Sequence, residues 1–431
     1  METAPIIDIP MKFMKRADMK ALLSTIQQRC RLDNVGVPPA AARGAEKLEA
    51  LRSQLESTKE LSPYNAEAAA GLFLRYNHLI SLLEIRFDDL GTEMGLLFKW
   101  KDAFDGKKSS SFEDLQWDRV GILFNAAAVY SFLAKGAAAR GTQSGGIKES
   151  AKYFQEAAGC LQEAHQLVTG AVMGLNPRWP PSKLTTDVSP PMLDALQCLM
   201  LAQAQRASYE NACAENLGAS LKAKLAAGAA KLFGDCARKI RASKDLVEAV
   251  EKEGGMFSRA DKTFLGRVDA SRLYAEACAE ECDADLLINV PEDQIQEYGK
   301  AERRLRSAVQ KCQDAIEAAM QTGVPRGDLS VIEKAMNRLA GVRDKAIEDN
   351  RLIGQERVPD TMPDVEGQII VEPIPPMTPE ETDDDKVIKA SYGSLMPETA
   401  RKALQQHHAD VCTHSPHTSP QPLCSLLTPL L

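Results

Sequence analysis

Through most of the chain, apolar residues recur at intervals of three and four, the spacing of one face of an α-helix. In residues 65–87, Leu72, Leu79, Leu82 and Leu83 share a face, and Asn65 stands where an N-cap belongs. The same spacing predicts helices over residues 17–31, 40–57, 115–134, 147–175, 261–285, 292–321 and 330–353. The glycine-rich stretch 136–146 is expected to be a loop, and residues 176–191, with five prolines, a connector. Long helices with short breaks between them imply antiparallel neighbours. The fold class is therefore mainly α, with a middle that resembles stacked tetratricopeptide hairpins but shows no fixed period.

Two stretches break the helical pattern. Residues 5–11 (PIIDIPM) are β-branched and bounded by prolines, as an edge strand would be. Residues 94–105 (MGLLFKWKDAFD) predict a second strand and a turn, so that the two form a small sheet pinned to the helices by a buried Trp100.

The most informative stretch is 192–243, which has no proline and only three glycines. At 100° per residue, Leu217, Leu221, Leu225 and Leu232 fall within roughly 80° of arc, and Ala219, Ala223, Ala226, Ala227 and Ala230 cluster on the other side. An alanine face allows close approach of a neighbouring helix. The leucine face needs another partner: either the core, or an incoming amphipathic helix. Lys222, Lys224, Lys231, Arg238, Lys239, Arg241 and Lys244 flank it, with Asp235 the only acid between Leu217 and Lys244. That rim suits an acidic peptide, although an ordinary solvated face has the same composition.

Composition narrows the function. A net charge of −8 over 431 residues argues against a general nucleic-acid binder, and aromatics at 5% fit tightly packed alanine-rich helices. The ten cysteines form no Cys-x-x-Cys pair; Cys278 and Cys282, one turn apart, are read as small core residues. With no apolar run of 18 residues and no signal peptide, the expected location is a reduced cytoplasm. No phosphate-cradling glycine motif and no hydrolase or zincin motif occurs, and His78 and His165 lie in helical patterns, so no enzyme activity, metal or cofactor is expected. At residue 355 the composition shifts: residues 355–386 carry six prolines and ten acids, expected to run extended along the helices with GQIIVE (367–372) as a docked strand. Residues 378–386 read as solvated, 397–409 as a short helix and 414–431 as a disordered tail, which predicts that the chain beyond about residue 380 is dispensable for folding.

Several phrases, in order, carry a resemblance: FKWKDAFD (98–105), GILFNAAAVYS (121–131), IKESAKYFQEAAG (147–159), LMLAQAQ (199–205), LKAKLAAGAAKLFGD (221–235) and DNRLIGQERVPD (349–360). Together they resemble the ALIX-like BRO-one domain family over about residues 6–376. The resemblance implies a boomerang-shaped helical domain over residues 1–376, followed by an acidic, proline-rich linker and tail over 377–431 that lacks a V domain. It implies an adaptor that binds the C-terminal amphipathic helix of an ESCRT-III charged multivesicular body subunit in endosomal sorting, budding or scission. Such an adaptor is cytoplasmic, is recruited to endosomes and touches their membrane at most peripherally. A same-fold scaffold that binds a different helix in pH-response signalling is the alternative. Matched to the family's patch, the two aliphatic positions fall at Leu221 and Leu225, the aromatic one at Ser208 beside Tyr209, and the acidic one near Ser144. Ser208 and Ser144 depart from the family pattern. Lys222 and Lys224 complete the expected partner site.

Overall fold

Helices dominate, as the spacing predicts. The computed structural model describes residues 6–17, 19, 21–32, 36–58, 60–84, 95–142, 144–170, 179–251, 263–291, 295–377, 383–393 and 406. In chain order the elements are α1 (Ala21–Leu32), α2 (Pro39–Ser57), α3 (Ala66–Glu84), β1 (Phe98–Lys101), β2 (Ser109–Phe112), α4 (Leu115–Ala139), α5 (Gly146–Thr169) and α6 (Pro190–Ala214). They continue with α7 (Ala219–Arg241), α8 (Lys244–Glu251), α9 (Phe264–Ile288), α10 (Tyr298–Gln321), α11 (Ser330–Asp349) and α12 (Asp383–Gly393).

From α4 onward the long helices stack in chain order: α4 on α5, α5 on α6, α6 on α7, α7 on α9, α9 on α10 and α10 on α11. This is the hairpin solenoid expected of the middle. Its first part shares one core with the N-terminal segment, α2, α3 and β1. Its second part is built largely of alanines on α9, α10 and α11 around Leu305, Leu329, Ile332 and Leu339. Small side chains let these helix axes approach closely. Helix α4 starts at a capping aspartate, Asp114, whose carboxylate accepts from the Gln116 N–H at 2.9 Å. It is long and apolar enough to cross a membrane, but most of that apolar length is buried between α3 and α5. It also runs to Ala139, through Gly136, so the loop expected at 136–146 is confined to its second half.

The sheet differs from expectation. Residues 6–10 form no strand, because helix side chains take up their backbone groups. Ile7 donates to Gln203 Oε1 (2.7 Å) and accepts from Gln203 Nε2 (3.0 Å), and Ile9 donates to Ser131 Oγ (3.1 Å). The partner of β1 is β2, antiparallel with Trp100 opposite Ser110, while the N-terminal segment adds only a bridge at Met14. Trp100 is fully buried, as expected. Its ring lies over Gly121 of α4, where a Cβ would sit 2.7 Å from Cζ2.

Beside the sheet, buried Lys12 pairs with Asp187, and its backbone exchanges hydrogen bonds of 2.7 and 3.1 Å with the Asn125 side chain. Asp102 holds the adjoining turn, accepting from the N–H groups of Phe104 (2.8 Å) and Asp105 (3.0 Å). Burial first, and the neighbouring Asp187 second, raise the Asp102 carboxyl above its ordinary value, against the opposing pull of Lys12. An acid raised in the fold contributes stability that is fully present below its unfolded pKa and lost as pH rises through the folded one. Asp102→Asn keeps the accepting oxygen and cannot ionise. Denaturant melts from about pH 3 to about pH 7 should therefore show wild-type stability falling relative to this variant as pH rises above the ordinary aspartate value. Parallel curves would contradict the raised carboxyl.

After α11 the chain turns through a π-helical turn, Asn350–Gly354, with Gln355 in the left-handed region (φ 49°). Asn350 secures the turn, its amide donating to Glu302 Oε2 (2.9 Å) and Glu356 O (3.1 Å) and its Oδ1 accepting from Glu356 N (3.0 Å). The chain then returns extended along the helices. Gln368 N donates to Lys224 O and Ile374 N to Gln155 O, both at 3.0 Å. The segment is docked as expected, yet it is not a strand, because its partners are helix carbonyls and side chains.

Residues 378–382, 394–405 and 407–431 lie outside the described residues, and with them the short helix expected at 397–409, save residue 406, and the tail expected at 414–431. Asp383 and Lys386 are exposed as expected, but helix α12 packs on α2 and α3 and buries Ile388 completely, which argues against the expectation that the chain beyond about residue 380 is dispensable for folding. Ile388→Ala is expected to cost about 2–5 kcal/mol, and a chain ended at Lys386 should lose at least that much. A truncated chain that melts with the full one would contradict a docked α12.

Candidate partner-binding site

Helix α7 is apolar on both sides, and each side has found a different partner. The alanine face packs on α9: Ala226 clusters with Cys278 and Ala279, and Ala229 and Ala230 with Ala275. The leucine face splits along its length. Leu217 falls two residues before the helix, its N–H donating to Ala212 O of α6; it and Leu221 are each 38% exposed, whereas Leu225 is 2% and Leu232 7% exposed. The structure thus presents Leu221 and buries Leu225. The returning segment crosses α7 at Lys224–Gly228, which separates the open turn from the covered ones.

Gln205 of α6 makes that crossing. It is fully buried, and its Nε2 donates to Leu225 O (3.2 Å) and Gln368 O (2.8 Å) while its Oε1 accepts from Ile370 N (3.1 Å). One side chain thereby ties α6, α7 and the segment together. Just beyond it on the segment, Ile369 and Ile370 are 40% and 54% exposed. Ser208, one turn further along α6, is half-buried and donates to Ala204 O (3.1 Å). Ser144 is exposed in the turn before α5 and donates to Arg140 O (3.0 Å). Lys148 reaches Glu215 at 2.6 Å, which joins the first turn of α5 to the end of α6 beside the start of α7. Lys224 is exposed and Lys222 half-buried.

Tyr209 goes elsewhere. It packs with Ala226, Cys278 and Ala279 on the alanine side of α7, away from the exposed leucines. Burial first, and then Cys278, Cys282 and Cys213, hold its phenol far above the ordinary tyrosine value, so it stays a neutral donor. Among the described residues no group of three or more His, Cys, Asp or Glu side chains is placed to hold a metal ion. Sequence pattern alone missed Gln205, Lys148 and the two isoleucines. Their only signals were a glutamine inside an apolar run and an apolar pair inside an acidic segment.

Comparison with known proteins places this arrangement. A chain named apoptosis-linked gene 2-interacting protein X 1, from Caenorhabditis elegans, is 26% identical over 420 residues, 95% of this chain and 43% of its own length. The chain therefore spans less than half of that relative. A structure of ALIX in complex with the SIVmac239 PYKEVTEDL late domain superposes with a TM-score of 0.73 at 24% identity, covering 95% of this chain and 54% of the other. One of the ALIX BRO1 CHMP4C complex gives 0.69 at 25% identity, covering 88% and 99%. The boomerang-shaped helical fold implied by the resemblance is the fold of these neighbours. With the BRO1-like domain model matching residues 6–410 and the same helical stack in the solved structures, this chain belongs to the BRO1-like domain family.

Proposed function

We propose that this chain is a non-enzymatic adaptor that binds the C-terminal amphipathic helix of an ESCRT-III subunit and acts in endosomal sorting or membrane scission, cytoplasmic until recruited to endosomes. The observation that carries the reading is the exposed Leu221 on a helix anchored through its alanines, with Leu217 exposed just before that helix and Ile369 and Ile370 exposed on the segment that crosses it. An amphipathic helix would set its own i, i+3 and i+4 apolar residues over these side chains, with Lys224 at the rim for its acids. The likeness to a BRO1 domain solved in the ALIX BRO1 CHMP4C complex supports the partner class.

Titration with an ESCRT-III tail-helix peptide tests it. Leu221→Asp should weaken binding by more than ~2 kcal/mol, about 30-fold in Kd, while circular dichroism and melting stay unchanged. Leu225→Asp behaves differently: a charge at a dry position destabilises the fold itself. Leu221 and Leu225, matched together to the family's patch, thus play different parts. If Leu221→Asp is folded and binds at wild-type affinity, the partner sits elsewhere. Absence of binding to the wild type would favour the scaffold that takes a different helix.

A further inference from the structure

The small sheet has an open edge. In an antiparallel ladder, successive residues turn their N–H and C=O groups alternately to one side and the other. In β1 the groups of Lys99 and Lys101 face the N-terminal segment: Lys15 N donates to Lys99 O and Lys101 N to Phe13 O, both at 3.0 Å. On the β2 side, Asp102 N donates to Lys108 O at 3.0 Å. With Trp100 opposite Ser110, the alternation turns the backbone groups of Lys108, Ser110 and Phe112 toward β1 and those of Ser109 and Ser111 away from it. Among the described residues no backbone group pairs with these outward ones; Ser109 is exposed and Ser111 half-buried.

The outer face of the sheet is basic. Met14, Trp100 and Ser110 are buried, so Lys15, Lys99 and Ser111 stand in one row across the other face. Like charges directly opposite each other, as Lys15 and Lys99 are, oppose strand pairing. Lys107 and Lys108 are exposed at the hairpin turn, and so is Lys183, whose carbonyl accepts from Ser110 Oγ beside β2. None of these five lysines has an ion pair among the described residues. The acids around the hairpin are engaged elsewhere. Asp102 and Asp105 are buried, Asp114 accepts from Gln116 N and from Trp179 Nε1 (3.0 Å), and Glu113 has a partner of its own.

We propose that the outer edge of β2 is a docking site for an extended acidic segment of a partner protein, which adds to the sheet as a further strand beside Ser109–Ser111 and sets alternate carboxylates toward the lysines. Unpaired edge groups are met by extended backbone, and unpaired lysines by acids. A short edge flanked by lysines repels indiscriminate pairing, and the same charge admits an acidic strand. A second copy of β2 would bring Lys107 and Lys108 again to a face that is already positive. The site does not depend on the ESCRT-III reading.

The test is fluorescence anisotropy of the full chain with fluorescein-labelled heptapeptides in which Glu alternates with Thr, Val or Tyr, and with counterparts carrying Lys for Glu. At least one Glu peptide should bind tenfold or more tighter than its Lys counterpart. N-methylation at alternate residues removes the N–H groups along one edge of an extended peptide. Methylating one alternate set should abolish binding, and methylating the other should leave it unchanged. Ser111→Pro removes an outward N–H and spares the β1–β2 ladder, so it should melt as the wild type does and bind at least tenfold more weakly. Lys107→Glu combined with Lys108→Glu should weaken binding at least tenfold as well. The proposal fails if no Glu peptide exceeds its Lys counterpart, or if the two methylated sets bind alike, which would leave charge attraction without strand pairing. It fails too if Ser111→Pro and the double lysine variant bind as the wild type does. A dimer of the unliganded chain that Ser111→Pro turns into a monomer would give the edge to a second copy instead. The methylation comparison uses the wild-type chain, so it decides the matter even if Ser111→Pro does not fold.

Discussion

Gly159→Ala is expected to destabilise the protein, while the same change at Gly136 stabilises it, although both glycines lie inside long helices. Alanine is the better helix former by about 0.5–1 kcal/mol, so Gly136→Ala, with nothing within 4 Å of its new methyl, should gain roughly that amount. At Gly159 the added Cβ would overlap Ile374 O and lie 2.5 Å from Ile374 C. At Gly228 it would overlap Gln368 O and lie 2.9 Å from Gln368 C. These are backbone atoms held by hydrogen bonds on either side, so they cannot swing aside as a side-chain tip would. The segment must lift off or the helix must shift, and overpacking of this kind costs about 1–3 kcal/mol. If the segment lifts, it also releases the Gln205 hydrogen bonds. Thermal melts give the sign, and limited proteolysis between residues 355 and 377 reports the lifting. Should Gly159→Ala and Gly136→Ala melt alike, the segment is not seated on α5 as the structure has it.

These glycines show where sequence reading stops. Helix periodicity identified α3, α5, α7 and α10, because each buries one stripe and solvates another. It also separated the alanine side of α7 from the leucine side, and the alanine side does pack on α9. Helix position alone could not divide the leucines: Leu232 joins the main core, and a segment from far later in the chain crosses α7 at Lys224–Gly228, beside Leu225. Leu221 and Leu225, neighbours on the helical wheel, differ in burial. Strand β2 was missed because SSSF carries no alternation; its pairing is fixed by β1 and by Ser110 donating to Lys183 O at 2.7 Å. Residues 6–10 misled in the opposite direction. Their β-branched composition suits any extended segment, and the distant Gln203 and Ser131 took the hydrogen bonds a strand would have supplied. Tyr209 was placed beside the leucines by its position next to Ser208, but adjacent residues on a helix point about 100° apart.

Asp118→Asn is expected to be among the most damaging conservative changes in the chain, at about 3–5 kcal/mol. Asp118 is fully buried at the junction of α2, α3, α4 and β1. Its Oδ1 accepts from Trp100 Nε1 (2.9 Å), and its Oδ2 from the Tyr76 hydroxyl (2.8 Å) and from Arg52. Arg52 is itself 1% exposed, and its Nε lies 3.2 Å from Glu56 Oε1, which also accepts from Ala17 N. Burial is the largest single influence and pulls the guanidinium pKa down, but Asp118, Tyr76 and Glu56 together outweigh it and the net shift is upward, so the arginine stays charged. Removing the carboxylate charge leaves that cation in a dry core with only the partly exposed Glu56 to answer it. The amide's NH₂ would also face donors on one side. The arrangement predicts coupling as well as loss. Arg52→Met removes the cation, so Arg52→Met with Asp118→Asn should be less destabilised than the two single changes added together. Denaturant unfolding of the four proteins measures that difference directly. If the two changes add, Asp118 acts only through Trp100 and Tyr76, and the ion pair is incidental to holding β1 and the N-terminal segment on the helices.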